Sequence, residues 1–143
     1  MRIGDLEAGL QAGPSSWIDV TQERIDAFAE STDDRQSIHI DPTLAAAGPY
    51  GVTVAHGLLT LSLVPAALYE LLPVERAVTV NYGLNRVRFP APVPAGSRVR
   101  VSVGVDAVDP VDGGVQVTMT ATVEREGGAK PVCVAELLFR YLG

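Results

Sequence analysis

The stretch Ser31-Thr-Asp-Asp-Arg-Gln-Ser-Ile-His39-Ile-Asp-Pro42 sets His39, one of two histidines in the chain, five residues after Asp34 across a polar turn. Both side chains of such a pair can point into one cavity. There a carboxylate and an imidazole can hold a water molecule and share its proton. Histidine titrates nearest neutral pH, which suits it to proton shuttling. The competing account is structural, with Asp34 closing an Asx-turn or capping a helix and His39 hydrogen-bonded in its loop. Spacing alone leaves both accounts open.

The second histidine precedes a glycine in Val54-Ala-His56-Gly57-Leu-Leu-Thr60, where a long apolar helical pattern begins. The first amides of a helix have no intrahelical acceptor and carry partial positive charge. A glycine among them lets a substrate carbonyl approach the backbone closely. Gly57 is therefore a candidate oxyanion donor, and its alternative role is to permit tight helix–sheet packing. His56 reads as an anchor for its loop rather than an acid or base.

The elements that must position these groups follow from periodicity. Ser16 to Val20 reads as a short first strand. Thr21 stands where an N-cap belongs, and Ile25, Phe28 and Ala29 follow at helical spacing, so 22–31 predicts a short amphipathic helix. Asp41-Pro42 is a second helix start, stopped by Gly48-Pro49. From Gly57 to Leu72 the pattern is apolar nearly all round, the mark of a buried helix, with a kink expected at Pro65. After Pro73 the period becomes two. Val78 to Phe89 reads as a strand with a bulge or bend at Gly83, ending in the stiff Pro90, Pro92, Pro94 loop. Three further strands follow, split by turns at Asp112-Gly113 and Glu126-Gly127-Gly128. Residues 1–14 show no regular pattern.

These elements predict an α+β fold over residues 1–143 as one domain. An antiparallel sheet of about five strands should wrap one long apolar helix, which is the hot-dog fold. One sheet and one helix leave little room for an enclosed site, so a dimer with joined sheets and pockets between subunits is expected.

Composition narrows the function classes. The apolar fraction is 47% and the formal charge is −6, with no block of Lys or Arg, which argues for a folded globule and against nucleic-acid binding. The single Cys133 lies in an apolar strand, fits a reducing compartment and is expected to be a buried, inert thiol. No signal peptide is read at the N-terminus, and no apolar run approaches the ~18 residues of a membrane span, so a cytoplasmic location is expected. Two histidines without a cysteine pair give no zinc pattern, and neither a dinucleotide fingerprint nor a P-loop is present. No metal or resident cofactor is expected.

Taken together, Asp34-Arg-Gln-Ser-Ile-His39-Ile-Asp-Pro42, the Ala-rich turn after it and Ala55-His56-Gly57-Leu-Leu-Thr60 resemble the R-specific enoyl-CoA hydratases of the MaoC-like dehydratase family. Asn81 to Ser97 is similar to that family's strand and proline loop. The resemblance runs from about residue 17 to 141. Asp33 stands where the motif has glycine, Gln36 where it has asparagine and Ser37 where it has proline. The resemblance implies that Asp34 and His39 bind and activate water, and that the Gly57 amide polarises a thioester carbonyl. Water would add across a trans-2-enoyl thioester to give the (R)-3-hydroxyacyl product, or leave in reverse.

Gln36, His56, Tyr82, Arg86 and Arg88 complete the candidate substrate-binding set. Gln36 would support the loop, and Tyr82 is a candidate for the acyl tunnel, with core packing as the competing role. Arg86 and Arg88 share a strand face, as do Arg98 and Arg100, and guanidinium groups suit coenzyme A or the phosphopantetheine arm of an acyl carrier protein. A solvated arginine face is the alternative. Two other functions compete: a hot-dog thioesterase, in which water attacks the carbonyl, and a non-catalytic acyl-thioester-binding subunit that lends a surface to a catalytic partner.

Overall fold

The computed structural model describes all 143 residues. After a turn of 3-10 helix at Ile3–Asp5 come β1 (Gln11–Ala12), β2 (Ile18–Val20), α1 (Gln22–Thr32), α2 (Ser37–Ile40), α3 (Pro42–Ala46), α4 (Gly57–Ser62) and α5 (Val64–Leu71). The strands β3 (Val78–Arg88), β4 (Ser97–Val111), β5 (Gly114–Arg125) and β6 (Pro131–Leu142) follow. They form one antiparallel sheet in the order β1-β4-β5-β6-β3, with β2 paired to the start of β4.

The alternation of the sequence becomes the two faces of this sheet. Val99, Val101, Val103 and Val105 of β4 turn inward with Val117, Met119, Ala121 and Val123 of β5, and all are buried. Cys133, Ala135, Leu137, Phe139 and Tyr141 continue that face on β6. α4 packs against β6 and α5 against β4, so the sheet covers the helical pair in the hot-dog arrangement. One cluster of 24 buried apolar residues joins the two layers. Ile25, fully buried, docks α1 onto it, a burial that contributes roughly 1.5–3 kcal/mol.

The caps stand where the residue types put them. The Thr21 side chain accepts from the Arg24 amide, and Asp41 Oδ1 accepts from the amides of Thr43 and Leu44. The bend expected at Gly83 is a pair of register shifts in β3, between Asn81 and Gly83 and between Leu84 and Arg86.

Three expectations need correcting. The sheet has six strands rather than about five, because Gln11–Ala12 pairs with Val103 and Gly104. A two-residue strand is too short to show a period. The single long helix is two helices, interrupted at Leu63 with Pro65 in the first turn of the second. Proline lacks the N–H that a continuous helix needs at that point, and its ring crowds the preceding turn. Nor is the pair covered all round: Leu58 and Tyr69 are each 63% exposed. Leu58 lies beside the free edge of β3, where Leu84 is also exposed. No helix is long and apolar enough to cross a membrane.

Candidate active site

The site is assembled from the end of α1 onward. Asp33 ends that helix in the left-handed conformation, at φ 60°. This conformation favours glycine, the residue usual in the motif, and aspartate is among the few others that tolerate it. The Asp33 carboxylate accepts from Arg35 Nη1 at 2.5 Å, and Arg35 Nη2 reaches Glu30 at 2.9 Å. The extra charge beside Asp34 is thus turned outward to a guanidinium. Gln36 contributes its backbone carbonyl, which accepts from the His39 amide at 3.0 Å, while its side chain makes no capping bond.

His39 is buried and its orientation is fixed by Val54. Its Nδ1 lies 2.6 Å from the Val54 carbonyl, and the Val54 amide donates to the Ile38 carbonyl at 3.0 Å. A carbonyl only accepts, so Nδ1 carries the proton and Nε2 presents a lone pair. Val54 is held in turn by the proline loop. Ala55 donates to the Val93 carbonyl, Ala95 to the Thr53 carbonyl, and Val54 bridges Pro94.

His56, also buried, does two things. Its Nε2 donates to the Asp34 backbone carbonyl at 2.9 Å, which ties the turn carrying the carboxylate to the start of α4. Its ring stacks on that of His39, with centroids 3.8 Å apart and planes 22° apart, and Phe28 flanks it at 4.8 Å. His56 Nδ1 is buried without a partner. Asp34 itself is exposed, and its carboxylate makes no hydrogen bond within the chain.

Asp34, His39 and His56 each offer a ligand atom, all within 4.8 Å of one another. Backbone carbonyls engage His39 Nδ1 and His56 Nε2, which leaves one nitrogen on each ring free beside the Asp34 carboxylate.

Gly57 opens α4, and no acceptor lies on its amide. A Cβ there would fall 2.8 Å from the Phe89 ring, so glycine lets that ring lie across the helix start. Packing and an accessible N–H thus coexist. His39, Gly57 and Phe89 line one cavity of about 370 Å³ together with Tyr50, Thr60, the Pro90 to Val93 segment and Val132. Val132 faces it because β6 shifts register opposite Glu124.

The structure brings Asp34, His39, His56 and Gly57 together around the loop that carries Gln36, and leaves Tyr82, Arg86 and Arg88 elsewhere. Tyr82 sits at the first β3 register shift on the outer face, where the Arg140 guanidinium stacks on its ring at 3.7 Å. Arg86 and Arg88 are exposed on that same outer face, on either side of the inward Val87, and do not line the cavity. Arg98 and Arg100 pair with Glu126 and Glu124 and lie over Trp17. Spacing on a strand says which residues share a face, and here the shared face is the one away from the helix.

One positioning residue went unread. Gln22 Nε2 donates to the His39 carbonyl at 2.7 Å and to Asp26 Oδ1 at 2.8 Å, while Gln22 Oε1 accepts from Thr53 Oγ1 at 2.6 Å. Two of these bonds tie α1 to the segments that carry His39 and Thr53, and the third, to Asp26, holds the amide within its own helix. Two of its partners lie 17 and 31 residues away, so no local pattern marks it.

Comparison with known proteins gives the family and the fold. Residues 7–127 match the MaoC like domain. The chain is 50% identical to the 3-hydroxyacyl-thioester dehydratase Z of Mycobacterium tuberculosis strain H37Rv, over 98% of this chain and 95% of that protein. It is 29% identical to the (R)-specific enoyl-CoA hydratase of Aeromonas caviae, over 92% of this chain and 93% of that one. The unliganded R-hydratase of Pseudomonas aeruginosa superposes with a TM-score of 0.81 at 26% identity, covering 99% of this chain and 85% of the other. An antiparallel sheet over a broken apolar helix, with an acid and an imidazole at the helix start, defines a hot-dog protein of the hydratase and dehydratase class. The chain belongs to the MaoC-like dehydratase family.

Proposed function

We propose that the protein adds water to trans-2-enoyl thioesters to give (R)-3-hydroxyacyl thioesters, or removes it in the reverse direction, on acyl groups carried by coenzyme A or an acyl carrier protein in the cytoplasm. The observation that carries this reading is the lone pair of His39 Nε2, set by the Val54 carbonyl, in one cavity with the unpartnered Gly57 amide. One Asp34 carboxylate oxygen stands within 4.8 Å of one nitrogen on each imidazole.

In the hydration direction Asp34 and His39 hold the water between them. Its oxygen bonds to C3 as the double-bond electrons move towards the thioester carbonyl. The Gly57 N–H donates to that oxygen as it gains charge. One such donor typically contributes ~2.7–4 kcal/mol to the transition state. The proton taken from water returns to C2, so atoms and charge balance with no resident cofactor. Phe89, Val93 and Val132 exclude bulk water from the enolate, which strengthens each of these contacts.

A second copy of the chain completes the reading. The outer edge of β3 has no strand partner, and exposed Leu58 and Leu84 beside it form an apolar groove with Leu61, Leu137 and Phe139. An unpaired edge of that length next to an apolar groove supports a homodimer with its sheets joined at β3.

The test is loss of crotonyl-CoA absorbance with chiral analysis of the product. An (R)-3-hydroxy product supports the reading, and an (S) product overturns it. Release of free thiol without hydration would make the protein a thioesterase instead. Acyl-CoA binding without turnover would make it a binding subunit.

A further inference from the structure

We propose that Arg125 and Lys130 form a phosphate-binding groove at the mouth of the catalytic cavity, which takes the phosphorylated end of the pantetheine arm. The inference rests on the enoyl-thioester reading and adds the residues that hold the far end of the substrate.

The groove, of about 270 Å³, has Pro90, Ala91 and Pro92 as one wall and Arg125, Gly128, Ala129 and Lys130 as the other. Pro90, Ala91 and Pro92 also line the cavity that holds His39 and Gly57. An arm leaving that cavity across this wall therefore enters the groove directly.

Strand alternation explains why the cation is here. Arg125 follows the inward-facing Val123 at a spacing of two, so it continues the cavity face of β5, while Glu124 and Glu126 point to the outer face. Those two glutamates are engaged by Arg100 and Arg98. Arg86 and Arg88 are on the outer face as well. Neither Arg125 nor Lys130 has an ion-pair partner, and no acidic side chain lines the groove. On a chain of net charge −6, an acid-free pair of cations is a local positive focus beside an otherwise repulsive surface. A guanidinium and an ammonium that the protein leaves unpaired suit phosphate oxygens, which accept several charge-assisted hydrogen bonds at once.

The experiment compares crotonyl-CoA, crotonyl-phosphopantetheine and crotonyl-pantetheine, which share the reacting end and differ in phosphate. In the Arg125→Ala/Lys130→Ala double variant, the kcat/KM preference for crotonyl-CoA over crotonyl-pantetheine should fall about ten-fold or more, the scale of a lost charge-assisted contact. A fall shared by crotonyl-phosphopantetheine assigns the groove to the phosphate next to pantetheine, which a carrier protein also presents. A fall confined to crotonyl-CoA assigns it to the nucleotide end. The charge-preserving Arg125→Lys/Lys130→Arg variant should keep the preference. Calorimetric binding of CoA itself gives a readout independent of turnover. Weakened CoA binding in the double variant supports the groove even if no thioester is hydrated, an outcome that would sink the hydratase reading alone. An unchanged preference together with unchanged CoA affinity overturns the groove and leaves the hydratase reading standing.

Discussion

His56 supports both halves of the candidate acid–base pair: its ring stacks on His39 at 3.8 Å while its Nε2 holds the Asp34 carbonyl at 2.9 Å. The two bonds that fix the histidines run to backbone carbonyls, so the tautomers are assigned by groups that cannot themselves give up a proton. The relative placement of Asp34 and His39 therefore depends on a residue that need not touch the substrate.

Replacing His56 separates its two roles. His56→Phe keeps a stacking ring and loses the bond to Asp34, whereas His56→Ala loses both. Turnover of crotonyl-CoA should fall in the order wild type, Phe, Ala, with losses of about 10- to 100-fold for alanine, as for other residues that orient a catalytic group. Equal turnover in all three would remove His56 from the mechanism.

Asp34→Asn and His39→Ala should each lower kcat ~10²-fold or more, the usual scale of acid–base catalysis. Asp34 is exposed and its carboxylate has no partner in the chain, so the asparagine variant should melt close to wild type. Full turnover in both variants would reject the proposed pair.

Gln22→Ala leaves the His39 carbonyl and the Thr53 hydroxyl without their present partners. A stability loss of about 1–3 kcal/mol is expected from denaturant unfolding, with a fall in kcat because His39 loses its tether. A variant that lost stability and kept full kcat would make Gln22 a purely structural clamp.

Alkaline stability should reflect two buried acids. Burial pushes the Cys133 thiol up to about 11 from its ordinary 9.0. Burial, with Tyr69 nearby, pushes the Tyr141 hydroxyl up to about 12. In both cases the unfolded chain releases its proton first, so the stabilisation is fully present below pH 9 and is lost as pH rises through the folded values. Melting temperature should therefore decline across that window. Cys133→Ala should flatten the lower part of the decline, and an unchanged slope would contradict the thiol's share.

The joined-sheet dimer is tested at its apolar groove. Leu58→Glu with Leu84→Glu should give a monomer in sedimentation experiments, since paired carboxylates cannot be buried without partners. A variant still dimeric would place the interface elsewhere.

Much of the framework was legible because it rests on local chemistry. Thr21 and Asp41 cap their helices through side-chain oxygens two or three residues from their donors, and the valines of β4 and β5 alternate without interruption. Reading failed where the decisive partner was remote. Val54 sets the His39 tautomer from 15 residues away, and the helix that looked continuous is broken at Leu63. Arg86 and Arg88 were rightly grouped on one face, yet periodicity does not say which face looks at the cavity. That depends on two β3 register shifts and on β6, and it is Arg125, not singled out by any motif, that continues the inner side.

The last strand to be made lies in the interior of the sheet. Within the chain β3 pairs only with β6, so both its edges stay unpaired until Pro131–Leu142 has been made. Phe89 and the Pro90 to Pro92 wall hang from its end. The wall of the candidate cavity is thus fixed only once β6 has been made. Arg88 pairs with Val134 near the start of β6, so a proline at Val134 should unseat the wall made of residues 89–92, and an unchanged turnover would show that the wall stands without that pairing.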